Sequence, residues 1–161
     1  MAKYKQRISD RILKRKVLGK GAVLIEGPKW CGKTTTAKQL AKSVLDLGDS
    51  SVLRQSVQLI ELSPKTLLEG KTPRLIDEWQ ALPPIWDSIR SEVDKRGEPS
   101  QFILTGSSVL PEADETIHSG TGRYAYIKMR PMSLYESGES NGKVSLSDLF
   151  EGKPFEIQTH D

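Results

Sequence analysis

The sequence AVLIEGPKWCGKTTTA, residues 22–37, decides the fold class of this chain. It begins with a short apolar run between two glycines, which is typical of a buried parallel strand. Residues 27–34, GPKWCGKT, then match the pattern G-x-x-x-x-G-K-[ST] in full, and a helical pattern follows. A strand, a glycine-containing loop and a helix in this order are the context that the pattern requires. The stretch therefore predicts a phosphate-binding loop.

Each part of this loop has a predicted task. Gly27 and Gly32 allow the backbone to curl so that successive N–H groups face phosphate oxygens. Lys33 is expected to reach the β- and γ-phosphates of a nucleotide, and the Thr34 hydroxyl to bind Mg²⁺. The predicted ligands are thus ATP and Mg²⁺. The predicted nucleotide-binding residues are Gly27, Pro28, Lys29, Trp30, Cys31, Gly32, Lys33, Thr34 and Thr35.

Two adjacent acids end a second apolar run, RLIDEW at residues 74–79. Mg²⁺ prefers oxygen ligands, so Asp77 at the end of a neighbouring strand is predicted to join Thr34 in the metal site. Glu78 can face a water near the γ-phosphate, because adjacent strand residues project differently. A lone Asp-Glu pair is more often a solvated turn, but the complete loop upstream favours a functional pair here.

Two more candidates follow. Thr105 ends a predicted strand and can hold the attacking water or sense the γ-phosphate, with a merely polar turn as an equal alternative. Arg123 lies in a glycine-containing stretch that can bring a cation to phosphate charge, in cis or from a neighbouring subunit, with a surface arginine as the alternative. Cys31 and His118 are expected to be ordinary loop residues. The predicted catalytic set is Lys33, Glu78, Thr105 and Arg123.

The remaining periodicities predict an α/β fold. Residues 5–18 form an amphipathic pattern, and apolar residues at helical spacing after the loop predict one helix that ends at Gly48. A second strand is expected at 51–55, short helical turns at 63–70 and a helix at 83–97. Further strands are predicted at 74–79, 101–108 and 124–129. Strands that alternate with helices indicate a mostly parallel, five-stranded sheet covered on both faces, a three-layer P-loop NTPase fold.

Composition and charge limit the partners and the cellular location that we expect for the chain. The chain has 161 residues and a net charge of +3, with eight cations among its first twenty residues against one acid, Asp10. Such a cluster can meet nucleic acid, although a solvated helix face is the commoner reading. One cysteine excludes an internal disulfide, and no run approaches the ~20 apolar residues of a membrane span. A cytoplasmic, soluble protein without a membrane partner is expected.

The stretches GPKWCGKTTTA, RLIDEWQ, FILTGS and GTGR followed by MRPMSLYESGESNG resemble the predicted AAA-superfamily ATPases of bacteria and archaea, from about Tyr4 to Phe150. The resemblance implies the AAA-type sheet order, Thr105 as a sensor and Arg123 as a candidate arginine finger. It also implies that Tyr4–Asp10 lies near the adenine. Full-length members carry a C-terminal domain of unknown function. We therefore expect a P-loop ATPase domain at 1–131, including the basic helix, and an extension or connector to a missing domain at 132–161.

Three functions remain open at this point. The favoured one is Mg²⁺-dependent ATP hydrolysis coupled to a conformational change in a partner or in the missing domain. The alternative is a nucleotide-operated switch with negligible turnover that grips nucleic acid or a protein. A small-molecule kinase is disfavoured by the adjacent acids and by the room for another strand between residues 47 and 73. A homo-oligomer is compatible with all three.

Overall fold

A computed structural model of the chain describes residues 4–106 and 122–154. Five strands in this part form one sheet: β1 (Ala22–Glu26), β2 (Ser43–Asp46), β3 (Arg74–Asp77), β4 (Phe102–Gly106) and β5 (Tyr124–Lys128). The helices are α1 (Ile8–Gly19), α2 (Lys33–Lys38), α3 (Ser50–Leu62), α4 (Pro64–Leu68), α5 (Ile85–Arg96), α6 (Leu134–Ser137) and α7 (Leu146–Phe150), with a 3-10 turn at Trp79–Ala81.

The strand order in the sheet is β2-β3-β4-β1-β5, and every pairing is parallel. Ala22 on β1 lies opposite Phe102 on one side and Tyr124 on the other. The carboxyl ends of all five strands therefore meet at one edge, where ligands bind in open α/β sheets. The α/β fold and the five-stranded sheet predicted from the sequence are confirmed.

Helices cover both faces of the sheet because neighbouring strand residues point to opposite sides. Leu24, Ile76 and Leu104 belong to one buried cluster, together with apolar residues of α3, α4 and α5. Val23, Leu75 and Ile103 belong to the other, with α1 and α2. The central strands are buried on both faces, which explains their nearly continuous apolar sequences. The result is the predicted three-layer arrangement.

The prediction for residues 37–55 was wrong. The helix after the loop ends at Lys38, the second strand is β2 at Ser43–Asp46, and the strand expected at 51–55 lies inside α3. Val44 is 43% exposed and Leu45 is 8% exposed, the two-sided pattern of a strand. Asp49 caps α3 by accepting hydrogen bonds from the backbone N–H groups of Ser51 and Val52. The region between 47 and 73, which had been expected to hold a strand, is mainly helical.

Two compact units divide the chain, and the sheet lies in the unit Arg7–Pro131. The other unit combines the residues before Arg7 with those from Met132 onward. In it, α6 begins with a capping box in which Ser133 and Glu136 exchange hydrogen bonds. The domain boundaries predicted from the sequence stay predictions. Among the helices of the described residues, none has the length and apolar character to cross a bilayer.

Candidate functional site

The loop that follows β1 lies at the carboxyl edge of the sheet, beside the ends of β3 and β4. Gly27 has φ +156° and Gly32 has φ +96°, so both adopt backbone angles that side-chain-bearing residues rarely take. A Cβ on Gly27 would lie 2.2 Å from the carbonyl oxygen of Met129, just after β5. Both glycines predicted for the loop are therefore required by its path.

The other loop residues differ in exposure. Pro28, Lys29 and Thr35 are exposed, and Trp30 is 92% exposed although its φ of 67° is unusual for a bulky residue. Cys31 is a free, buried thiol that packs in the apolar cluster between the sheet and α1. The loop thus holds one side chain in the core and presents several to solvent.

Lys33 is tied to the start of its own loop. The side chain is only 6% exposed, and its Nζ donates hydrogen bonds of 2.9 Å to the carbonyl oxygens of Gly27 and Pro28. An ammonium group has three N–H donors, so these two bonds leave one for a further acceptor. The Lys33 ammonium group is therefore held at the loop, and one of its N–H donors is not used by these two bonds.

Two hydroxyl groups from different elements converge on one carboxylate oxygen of Asp77. The Thr34 hydroxyl at the start of α2 donates a hydrogen bond of 2.9 Å to Asp77 Oδ1 at the end of β3. The Thr105 hydroxyl on β4 donates to the same oxygen. Asp77 and Thr105 are buried. This set of hydroxyl and carboxylate oxygens is the donor chemistry that Mg²⁺ prefers, so the residues fit the predicted metal.

Glu78 stands where the chain turns away from β3. It adopts the left-handed conformation, φ 53° and ψ 45°, which is uncommon for a glutamate and costs of order 1–3 kcal/mol. A Cβ on Gly48, beyond the end of β2, would lie 3.6 Å from Glu78 Cγ. The side chain of Gln80 donates a hydrogen bond to Glu78 Oε2. Strained backbone of this kind is concentrated at functional sites.

Arg123 is not brought to the loop of its own chain. It precedes β5 and therefore lies at the amino edge of the sheet, where its carbonyl accepts from the Ala22 N–H at 3.2 Å. A five-residue strand is about 17 Å long, and that length separates this edge from the loop. Arg123 forms an ion pair with Asp94 on α5, which raises the pKa of Arg123 and lowers that of Asp94. Its action across a subunit interface stays a prediction.

Arg7 and Gln80 were missed as site residues. The Arg7 guanidinium is buried and donates to the Cys31 carbonyl in the loop. From the sequence, Arg7 was one of the basic residues and, through the family resemblance, part of the segment expected near the adenine, but it was not predicted as a site residue. Helical periodicity held no signal, because spacings of six and ten residues from the buried Leu13 and Val17 do not place Arg7 on their face of the helix. Nothing in the sequence pattern marked Gln80 as a site residue apart from its closeness to the acidic pair. His118 lies outside the described residues.

The fold, the loop after β1 and the carboxylate at the end of β3 together define a P-loop nucleotide-binding domain of the α/β class. The model of a family described as an AAA domain matches residues 19–138, and the chain belongs to this family. The sequence resemblance is thereby confirmed. Membership indicates an ATPase-like, nucleotide-binding domain.

Two curated relatives are similar to the chain. They are uncharacterized proteins of Mycobacterium bovis and Mycobacterium tuberculosis, each 27% identical over 120 residues. The match covers 73% of this chain and 27% of each relative. The chain therefore spans about a quarter of the length of these relatives.

Proposed function

We propose that this domain binds ATP with Mg²⁺ at the Gly27–Thr34 loop and hydrolyses it, and that turnover changes the conformation of a partner or of further parts of a longer protein. The observation that carries the proposal is the convergence of Thr34 and Thr105 on Asp77 Oδ1, next to the charge of Lys33. Family membership supports the nucleotide, and the oxygen donor set supports the metal.

The loop supplies the hydrogen-bond donors for the proposed phosphate binding. Lys33 keeps two donors on the Gly27 and Pro28 carbonyls and offers its third to a phosphate oxygen. The first N–H groups of α2 have no intrahelical acceptor, so they are available to the same ligand.

The metal site uses Thr34 and Asp77. When bound, Mg²⁺ neutralises phosphate charge and stabilises the charge that develops during phosphoryl transfer. Thr105 donates to the same oxygen of Asp77 and, being buried, fixes the carboxylate's orientation. Such a supporting hydrogen bond orients a metal ligand and tunes its basicity. We therefore expect Thr105 to act through Asp77 and to influence the terminal phosphate indirectly.

Glu78 is proposed to orient and deprotonate the attacking water. Its left-handed backbone turns the side chain out of the strand direction of β3, and Gln80 holds the carboxylate. A carboxylate that activates water has no task unless water is the nucleophile. This residue therefore distinguishes hydrolysis from nucleotide binding alone.

Phosphate release by wild type, Glu78→Gln and the control Glu61→Gln tests this proposal. Glu61 is an exposed glutamate on α3, so its substitution controls for the loss of one charge. We expect Glu78→Gln to reduce turnover about a hundredfold or more with little change in ATP affinity, since base catalysis typically contributes 10²–10⁴-fold. Equal turnover in wild type and Glu78→Gln would defeat the role of Glu78.

A nucleotide-operated switch is the second candidate, and the surface of α1 favours it. Arg11 and Arg15 are exposed on this helix, and the loop adds the exposed Lys29. Cations of this kind bind phosphate backbones in a salt-dependent manner. Tight ATP binding by wild type without phosphate release, with or without added DNA or RNA, would decide for the switch.

A further inference from the structure

We propose that Arg7 is a positioning residue of the nucleotide site, which holds the phosphate loop through the Cys31 carbonyl and joins it to the chain that leaves β5. The inference rests on the proposed function, because it assigns Arg7 to the same nucleotide site. Its basis is a buried cation in contact with the loop that the proposed chemistry does not use.

The contacts of Arg7 are specific. The residue is 7% exposed and directly precedes α1. Nη1 donates a hydrogen bond of 2.9 Å to the Cys31 carbonyl, and Nη2 donates one of 3.0 Å to the Arg130 carbonyl. A Cβ on Gly32 would lie 3.2 Å from Nη1, so the guanidinium also packs against the second loop glycine.

A guanidinium suits this task better than an ammonium. Its planar fork spans two acceptors at once and stays charged when buried, whereas lysine offers a point charge on a flexible stem. Each bond to a charged donor is stronger than a neutral one. The two bonds therefore fix where the Cys31 peptide lies relative to the end of β5, and with it the curvature of the loop.

The position of Arg7 adds an electrostatic effect. A buried cation pays a large desolvation cost, which nearby negative charge offsets. The Asp10 carboxylate, which accepts a hydrogen bond of 2.8 Å from the Arg7 backbone N–H, supplies part of that charge, and phosphates bound at the loop would add to it. Arg7 is thus expected to strengthen binding more for ATP than for AMP, which carries fewer phosphates.

The second bond extends the effect beyond the loop. Met129 donates from its backbone N–H to Glu26 at 2.7 Å, so the residues after β5 are already attached to the end of β1. Arg7 adds the next residue, Arg130, to this connection. Arg7 therefore connects the loop to Arg130, one residue before the end of this compact unit at Pro131.

The test compares wild type with Arg7→Met, Arg7→Lys and the control Lys14→Met, which removes an exposed cation from the same helix. Calorimetric titration with Mg·ATP and with AMP gives the affinities, and thermal melting confirms folding. We expect Arg7→Met to weaken ATP binding roughly tenfold or more, corresponding to the loss of a charged hydrogen bond, and AMP binding less. Arg7→Lys should recover part of the loss, and Lys14→Met should match wild type.

Trp30 supplies a readout of the loop itself that is independent of the overall stability of the fold. It is almost fully exposed, whereas Trp79 and Trp86 are buried, so the neutral quencher acrylamide quenches Trp30 preferentially, and its access does not depend on the charge lost in Arg7→Met. Without nucleotide, we expect the quenching constant to differ between wild type and folded Arg7→Met, because the neighbouring Cys31 carbonyl has lost its donor. Lys14→Met should quench as wild type does, and Trp30→Phe assigns the signal.

Wild-type affinity and wild-type quenching in folded Arg7→Met would overturn the proposal. Should Arg7→Met not fold, Arg7→Lys decides, since ATP affinity and quenching equal to wild type in that variant would also overturn it. If wild type itself binds no Mg·ATP, the proposed function fails first and Arg7 loses its role with it. If wild type binds Mg·ATP and only the Arg7 variants differ from expectation, the proposed function stands and the proposal for Arg7 alone fails.

Discussion

At Gly27 the backbone leaves β1 in contact with the carbonyl of Met129. An alanine there would place its Cβ 2.2 Å from that oxygen, at a φ that L-residues rarely adopt. The loop must then shift, and the carbonyls that hold Lys33 shift with it. One methyl group at this position is therefore expected to disturb the whole phosphate site.

We predict that Gly27→Ala weakens Mg·ATP binding by at least tenfold, while Gly19→Ala leaves it unchanged. Gly19 is the matched control because nothing lies within 4 Å of a Cβ built on it. Equilibrium titration of both variants checks the prediction. Equal affinities in the two variants would show that the close approach at Gly27 does not govern the loop.

The residues of the site were predictable from the sequence to the extent that local pattern determines them. Lys33 and Thr34 follow from the loop motif, and Asp77 from an acid at the end of an apolar run. Arg7 and Gln80 depend on which helices and turns meet at the loop, which one local window does not contain. The same applies to Arg123, because the place of β5 in the sheet decides that Arg123 lies at the amino edge.

Among the elements, β2 best shows where a sequence pattern becomes ambiguous. Ala41, Val44 and Leu45 fit a helical repeat, but Val44 and Leu45 lie on opposite sides of a four-residue strand. Short apolar runs fit both the helical period and the strand period, and the pairing of β2 with β3 decides in favour of a strand. The longer amphipathic segments, α1 and α5, were predicted correctly because they repeat the pattern over three turns.

Paired substitutions in β2 test this correction. Leu45→Ala should reduce the free energy of unfolding by about 2–5 kcal/mol, because it empties a buried site. Val44→Ala should cost less than about 1 kcal/mol, because that side chain is largely exposed. Urea denaturation measures both. A helix with both residues on its buried face would instead give large losses for the two variants.

For the whole molecule, the open question is whether the site is complete within one copy. Arg123 lies at the opposite edge of the sheet and is paired with Asp94. The Arg123 hydrogen bond lowers the pKa of Asp94, so this carboxylate stays ionised at neutral pH. Both side chains are partly exposed, and an ion pair of this kind contributes little stability, so Arg123 can exchange Asp94 for another anion.

We predict that, if a second copy receives Arg123, phosphate release per molecule rises with protein concentration. Arg123→Ala should abolish the rise, and Asp94→Asn should preserve or increase it, because that substitution frees the guanidinium. A rate that is independent of concentration and of Arg123 would assign this residue to the surface of α5 and β5 alone.

Every role proposed above depends on the loop and the end of β3 forming one Mg²⁺-dependent nucleotide site. Calorimetric titration of ATP into wild type, Lys33→Ala and the control Lys38→Ala, with Mg²⁺ and with a chelator, measures it most directly. Lys38 is an exposed lysine of α2, so it controls for charge. We expect Mg²⁺-dependent binding that Lys33→Ala weakens roughly ten- to a hundredfold, since a charge-assisted contact contributes about 1.5–3 kcal/mol. Binding that is the same in Lys33→Ala and wild type, or no binding by wild type, would contradict it.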